Sequence, residues 1–128
     1  NTMRPKKIAA ADRQRREKTG RDAERAAVWL LRLKGYRILA RRYRVAVGEI
    51  DIVARRGRTV AFIEVKARAT EGLALESVTD RQRRRIARAA LWFLQKNPAH
   101  GDCDLRFDVV TATPRNWPRH HIDAWRES

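Results

Sequence analysis

The sequence predicts an α/β fold in the order α-β-β-β-α-β-β, with a central mixed sheet flanked by helices, and three observations predict it. Apolar residues recur at helical spacing in two segments, Ala23–Leu31 and Ile86–Leu94. Between them, Tyr36–Ala67 is rich in β-formers, with breaks at Gly48 and Gly57. Two further β-rich stretches, Leu105–Thr111 and His121–Trp125, close the chain. Such an order buries its apolar faces by stacking helices on one sheet. At 128 residues the chain is one domain's worth, long enough for a single core without disulfides or a structural metal.

Each element has a local reason. Residues 1–19 carry Arg4, Lys6, Lys7, Arg13, Arg15, Arg16 and Lys18 among alanines, and read as a basic arm, flexible or weakly helical, ahead of a single domain over 20–128. Thr19 is able to cap a first helix, Asp22 stands near its positive end, and Gly35 suits a left-handed C-terminal cap. Tyr36–Val45, Glu49–Val53 and Thr59–Ala67 are strands, with a turn at Arg55–Arg58, and form an antiparallel meander. Residues 68–77 read as a loop around Gly72. Thr79-Asp80-Arg81-Gln82 fits a capping box for the second helix, which runs to about Lys96 and stops at Asn97-Pro98. Leu105–Thr111 is the fourth strand and His121–Trp125 a fifth, on an edge. Trp29 and Trp92, on amphipathic helices, are assigned to the core, and Trp117, between Pro114 and Pro118, to the surface. His120-His121 reads as a solvated pair.

Charge narrows the function. Lys and Arg number 30 against 15 Asp and Glu, a formal charge of +15 that attracts polyanions. Nucleic acid is the leading partner, DNA ahead of RNA. A membrane is not expected, because no basic amphipathic segment carries a Trp, Phe and Leu face and no apolar run approaches the roughly 20 residues of a span. The lone Cys103 makes no intrachain disulfide and reads as a buried filler, and the N-terminus lacks a signal peptide's apolar core, so a cytoplasmic location is expected. There is no phosphate-cradling Gly-rich loop, nucleophile elbow or zinc-knuckle spacing.

Acids number half the bases, yet they concentrate on the second and third strands. A two-residue turn at Arg56-Gly57 opposes Asp51 to Phe62 and Glu49 to Glu64, and alternation then projects Glu49, Asp51, Glu64 and Lys66 from one face. Carboxylates opposed at about 4 Å repel by roughly 4 kcal/mol at an intermediate dielectric. Lys66 offsets part of this, and a divalent cation would supply two more charges; all-oxygen ligands suit Mg²⁺ or Mn²⁺. An exposed strand face with ordinary surface acids is the alternative. On the second helix Arg81, Arg84, Arg85 and Arg88 form a basic ridge, which spacing alone leaves open between phosphate binding and a solvated face.

Gly48-Glu49-Ile50-Asp51 followed by Phe62-Ile63-Glu64-Val65-Lys66 resembles the PD-(D/E)xK signature of restriction-endonuclease-like nucleases. Gly35-Tyr36-Arg37-Ile38-Leu39, Ser77-Val78-Thr79 with Gln82-Arg83-Arg84, Arg106-Phe107-Asp108-Val109-Val110 and Ile122-Asp123-Ala124-Trp125 extend the likeness. Over about residues 20–125 the chain resembles the YraN family of small bacterial proteins, itself similar to archaeal Holliday-junction resolvases. The resemblance implies a restriction-endonuclease-like fold and a Mg²⁺- or Mn²⁺-dependent endonuclease acting on DNA, branched structures included. It implies Asp51 and Glu64 as metal ligands, and Lys66 as the group that orients or helps deprotonate the attacking water and offsets phosphate charge. Glu24 matches a helix glutamate that joins the site. Glu49 and Gln82 match positions behind the ligands, although a neighbouring Arg explains the first and helix capping the second equally well. Ala23 stands where the family usually has Gly, Arg42 where Asn is common, and Arg81 where Lys is usual. Junction resolvases act as symmetric pairs, which leaves a homodimer open by analogy. Because one fold hosts different functions, a non-catalytic DNA- or RNA-binding module is the alternative.

Overall fold

The computed structural model describes residues 5–127. The elements are α1 (Pro5–Leu33), β1 (Arg37–Val45), β2 (Gly48–Arg56), β3 (Thr59–Ala67), α2 (Glu71–Glu76), α3 (Asp80–Lys96), a 3₁₀ turn (Pro98–His100), β4 (Asp104–Ala112) and β5 (Arg119–Trp125). The five strands lie in the order β1-β2-β3-β4-β5, with β3 and β4 parallel and the other neighbours antiparallel. This is the expected mixed sheet. β5 stands on an edge, as the sequence suggests.

Two departures concern helices. No helix begins at Thr19, because α1 is continuous from Pro5. Alanines, Lys, Arg and Glu are strong helix formers, and side-chain pairs Asp12–Arg15 and Asp22–Arg25 add local support. Gly20 sits within the helix with nothing near it, so its cost is one of propensity alone. The stretch read as a loop over 68–77 contains α2, which Thr70 caps by accepting from the Leu73 N–H. The C-terminus of α1 does follow the sequence. Gly35 has φ +91°, its N–H donates to Arg32 O, and the Tyr36 N–H donates to Leu31 O, the paired bonds of a Schellman cap.

Two cores follow from strand alternation. Ile52, Ala54, Ala61, Ile63 and Val110 pack beneath Ala27, Val28 and Leu31 of α1. Val53, Phe62 and Phe107 pack beneath Ile86, Ala89 and Phe93 of α3. The sheet is therefore sandwiched by helices. α3 sits tight on the start of β2: a Cβ on Gly48 would lie 2.0 Å from Arg85 O, so no side chain fits there. Trp117 is exposed as expected, but the two helix tryptophans assigned to the core are not in it. Trp29 is 64% and Trp92 41% exposed, whereas Trp125 is buried. Each exposed indole stays on its helix through a cationic neighbour, Arg32 over Trp29 and Lys96 over Trp92. Cys103 is half-buried against the α3-side core. Among the described residues, no helix is long and apolar enough to cross a membrane.

Candidate active site

The turn between β2 and β3 centres on Gly57-Arg58 rather than Arg56-Gly57, which moves every cross-strand partner by two residues. An even shift preserves which residues share a face, so within the ladder the alternation stands with different partners. The ladder runs from Arg56–Thr59 to Ile52–Ile63 and stops there. Beyond it, the Val65 N–H donates to Asp51 Oδ2 at 2.8 Å. The carboxylate thus takes a main-chain donor that another rung of the ladder would have used. Alternation also breaks here: Ile50 joins the α3-side core with Val53 instead of lying with Ile52.

This local break leaves Asp51 and Glu64 close enough that each alters the ionisation of the other. Glu64 is buried, and Lys66 Nζ lies 3.3 Å from its Oε1. Asp51, Glu64 and Lys66 therefore converge. Glu49 does not join them. It is exposed and pairs with Arg44 at 3.3 Å, so the expected three-acid face of Glu49, Asp51 and Glu64 is a two-acid pair. The cause is the departure of β2 from the ladder, which a strict period of two cannot anticipate.

Glu24 lies on α1, buried, and its charge helps raise the Asp51 pKa. Its oxygens are held by Arg41 Nε at 3.1 Å and Arg42 Nε at 2.9 Å. Arg42 has φ +50°. Asn tolerates this left-handed region better than most residues, which is a physical reason for Asn at this position in the family the sequence resembles. Over Asp51 opens a basin of about 370 Å³ bordered by Glu24, Arg21, Arg42 and Arg44. Gln82 is committed to the start of α3: its side chain accepts from the Thr79 N–H at 3.2 Å and its own N–H donates to Thr79 Oγ1 at 3.1 Å. Arg81, Arg84 and Arg88 are exposed and Arg85 half-buried on α3, and the contact of Arg85 with Gly48 sets this ridge at the end of β2 that carries Asp51.

Burial pushes the Glu64 carboxyl up to about 8 and the Asp51 charge adds to it, against the opposing pull of Lys66. Burial likewise raises Asp51, against the Val65 N–H. Two adjacent carboxyls whose charged forms are both disfavoured are a place where the charge of a divalent cation would be stabilising. Among the described residues, no group of three or more His, Cys, Asp or Glu side chains gathers to cage a metal. Two hard carboxylates with open space beside them nevertheless fit Mg²⁺, which keeps several waters and uses one or two carboxylates plus substrate phosphate.

The raised Glu64 pKa has a measurable consequence. Between its ordinary 4.5 and about 8, the folded chain holds a proton that the unfolded chain releases. Metal-free stability is therefore expected to fall as pH rises through this window, by up to about 1.4 kcal/mol per pH unit. Chemical denaturation across pH checks this, and Glu64→Gln should flatten the profile.

Sequence reasoning missed a second buried polar cluster under the C-terminal end of α1. Asp108 is fully buried and accepts from Arg106 Nε and Nη2, each at 2.8 Å, and from the Asp123 N–H at 2.9 Å. His120 is not solvated: its side chain is 2% exposed, with Nε2 2.7 Å from Asp108 Oδ2 and Nδ1 2.6 Å from Lys34 Nζ. Lys34 and His120 are 86 residues apart, so local spacing holds no trace of the contact. A usable signal was the pair Arg106 and Asp108, opposite charges two apart and so on one face of a β-rich strand.

Comparison with known proteins places the chain. The uncharacterised protein family UPF0102 matches residues 23–112. A UPF0102 protein of Parvibaculum lavamentivorans is 56% identical over 107 residues, covering 84% of this chain and 80% of the relative. A UPF0102 protein of Bradyrhizobium sp. (strain BTAi1) is 48% identical over 128 residues, covering 100% of this chain and 94% of the relative. One of Methylorubrum extorquens is 48% identical, covering 96% of each. With most of its length matched at this identity, the chain belongs to uncharacterised protein family UPF0102, the YraN family.

Proposed function

We propose that this protein is a Mg²⁺- or Mn²⁺-dependent endonuclease that hydrolyses DNA phosphodiester bonds, at branched structures among others. The observation that carries the reading is the convergence of one buried and one half-buried carboxyl with an ammonium group in a body of formal charge +15. Asp51 and Glu64 would hold the cation. When bound, it supplies Lewis-acid charge at the scissile phosphate. Lys66 orients the attacking water and stabilises negative charge that builds on the phosphoryl oxygens. Water oxygen bonds to phosphorus as its proton passes to solvent, the bridging P–O bond breaks, and the departing oxygen takes a proton from solvent. The Arg81, Arg84, Arg85 and Arg88 ridge and the basic face of α1 hold the phosphate backbone. Lone Cys103 suits a reducing, cytoplasmic location.

The test incubates purified protein with labelled linear, flapped and four-way DNA, with Mg²⁺ or Mn²⁺ and with chelator. Metal-dependent cutting is expected; no cutting of any substrate would end the reading. A second reading, a DNA- or RNA-binding module that does not cut, is favoured by the ion pairs that occupy both oxygens of Glu24. It requires affinity that falls steeply with salt and does not change on Asp51→Asn.

A further inference from the structure

The connection between β4 and β5 carries an indole almost wholly in solvent: Trp117 is 86% exposed. The loop beneath it is braced. Asn116 Nδ2 donates to Thr113 Oγ1 and to Pro114 O, both at 3.1 Å, and Pro118 follows with its fixed φ. An aromatic face held on a braced loop loses little freedom when something stacks on it.

Its position is set by the sheet. β3 and β4 run parallel with Lys66 beside Thr111 and Ala67 beside Ala112. The loop therefore leaves the sheet at the end where β3 presents Glu64 and Lys66. There an open cavity of about 310 Å³ is bordered by Thr70, Glu71, Thr111, Asn116, Trp117 and Arg119, at the lower end of the roughly 300–1,000 Å³ typical of ligand sites. Glu71 is paired with Arg119 at 3.3 Å, and its other oxygen lies 3.0 Å from His121 Nε2. Arg115 and Arg119 stand exposed on either side of Trp117 in the chain. A free aromatic face among basic groups is how proteins hold single-stranded nucleic acid, since every base offers a π-face.

We propose that Trp117 is a stacking platform for an unpaired nucleobase of DNA, so that the strand entering the site is single-stranded on one side of the bond to be cut. The location relative to the bond rests on the endonuclease reading; the stacking itself does not.

The test is run in chelator, so that no cleavage intervenes. It measures affinity for a single-stranded oligonucleotide containing 2-aminopurine and for a duplex of the same length. Trp117→Ala is expected to weaken single-strand binding by about tenfold or more and to abolish the quenching of 2-aminopurine fluorescence, while Trp117→Phe restores most of both. Duplex affinity should stay within about twofold, because phosphate contacts dominate it. The proposal is overturned if Trp117→Ala binds the single strand as the parent does, or if it loses duplex affinity to the same degree. With its side chain in solvent, Trp117 is replaceable without loss of fold, and an unchanged melting curve verifies this. A parent that shows the Trp117-dependent quench yet cuts no DNA with metal would sink the endonuclease reading and leave the stacking site standing.

Discussion

Asp51→Asn is expected to lower the rate of DNA cleavage more than about a hundredfold while leaving the chain folded. Losing a group one step behind a metal ligand already costs roughly 10–100-fold, and Asp51 would be a ligand. The amide keeps an oxygen for the Val65 N–H, the bond that holds β3 where the ladder with β2 ends. It also removes a negative charge beside the buried Glu64, so metal-free stability at pH 8 should rise rather than fall. Activity and stability thus move in opposite directions, which a merely structural aspartate would not produce. Lys66→Met serves as the companion. It should cost about 10²–10³-fold in rate, the usual effect of deleting one preorganised group that stabilises developing charge. Unlike Asp51→Asn, it should destabilise, because the Glu64 carboxyl loses its cation at 3.3 Å. Single-turnover cleavage and urea denaturation of the same preparations check both halves. Variants that cut like the parent would remove these residues from the chemistry.

Asp108→Ala is expected to be the more damaging change to the fold, by about 3–5 kcal/mol, the usual consequence of removing one partner of a buried ion pair. Burial by itself would raise this carboxyl, but Arg106, His120 and the Asp123 N–H outweigh it and hold it at about 2. Its stabilisation is therefore complete above the ordinary aspartate pKa of 3.8 and is lost as pH falls towards 2. Without it, Arg106 keeps only Tyr36 Oη at 2.6 Å, and the buried His120 ring loses its acceptor. Asp123 adopts φ +55°, and its N–H bond to Asp108 is part of what holds that conformation, so β5 should detach first. A single domain has about 5–15 kcal/mol in hand. The melting temperature of Asp108→Ala should accordingly drop by roughly 10 °C or more, and hydrogen exchange should speed up first along β5. A loss below about 1 kcal/mol would show that the cluster is solvated in solution.

What was legible early and what was not divides along one line. Ala23, Ala27 and Leu31 mark a helix face by recurrence, Gly35 marks its end by the φ it must adopt, and Thr79 with Gln82 marks the start of α3 by reciprocal hydrogen bonds; all lie within a turn or two of their partners. The faces of β2 and β3 were legible for the same reason over their paired stretch, where an error of two residues in register left them unchanged. The candidate pair Asp51 and Glu64 came from alternation and from the resemblance together. Glu49 was grouped with them because alternation assumes a regular ladder, and the ladder ends one residue past Asp51.

The sequence by itself determined the order of the strands and of the two long helices, the excess positive charge and the acids and Lys66 on two neighbouring strands, because each follows from residue type and short-range periodicity. Only the tertiary structure decided that Glu49 turns away to Arg44, that Glu24 is held by Arg41 and Arg42, that His120 is buried between Asp108 and Lys34, and that the indoles of Trp29 and Trp92 lie outside the core. Each of those outcomes depends on where distant segments meet. Burial and charge pairing are set by three-dimensional neighbours, and a periodicity read along one chain carries no information about them.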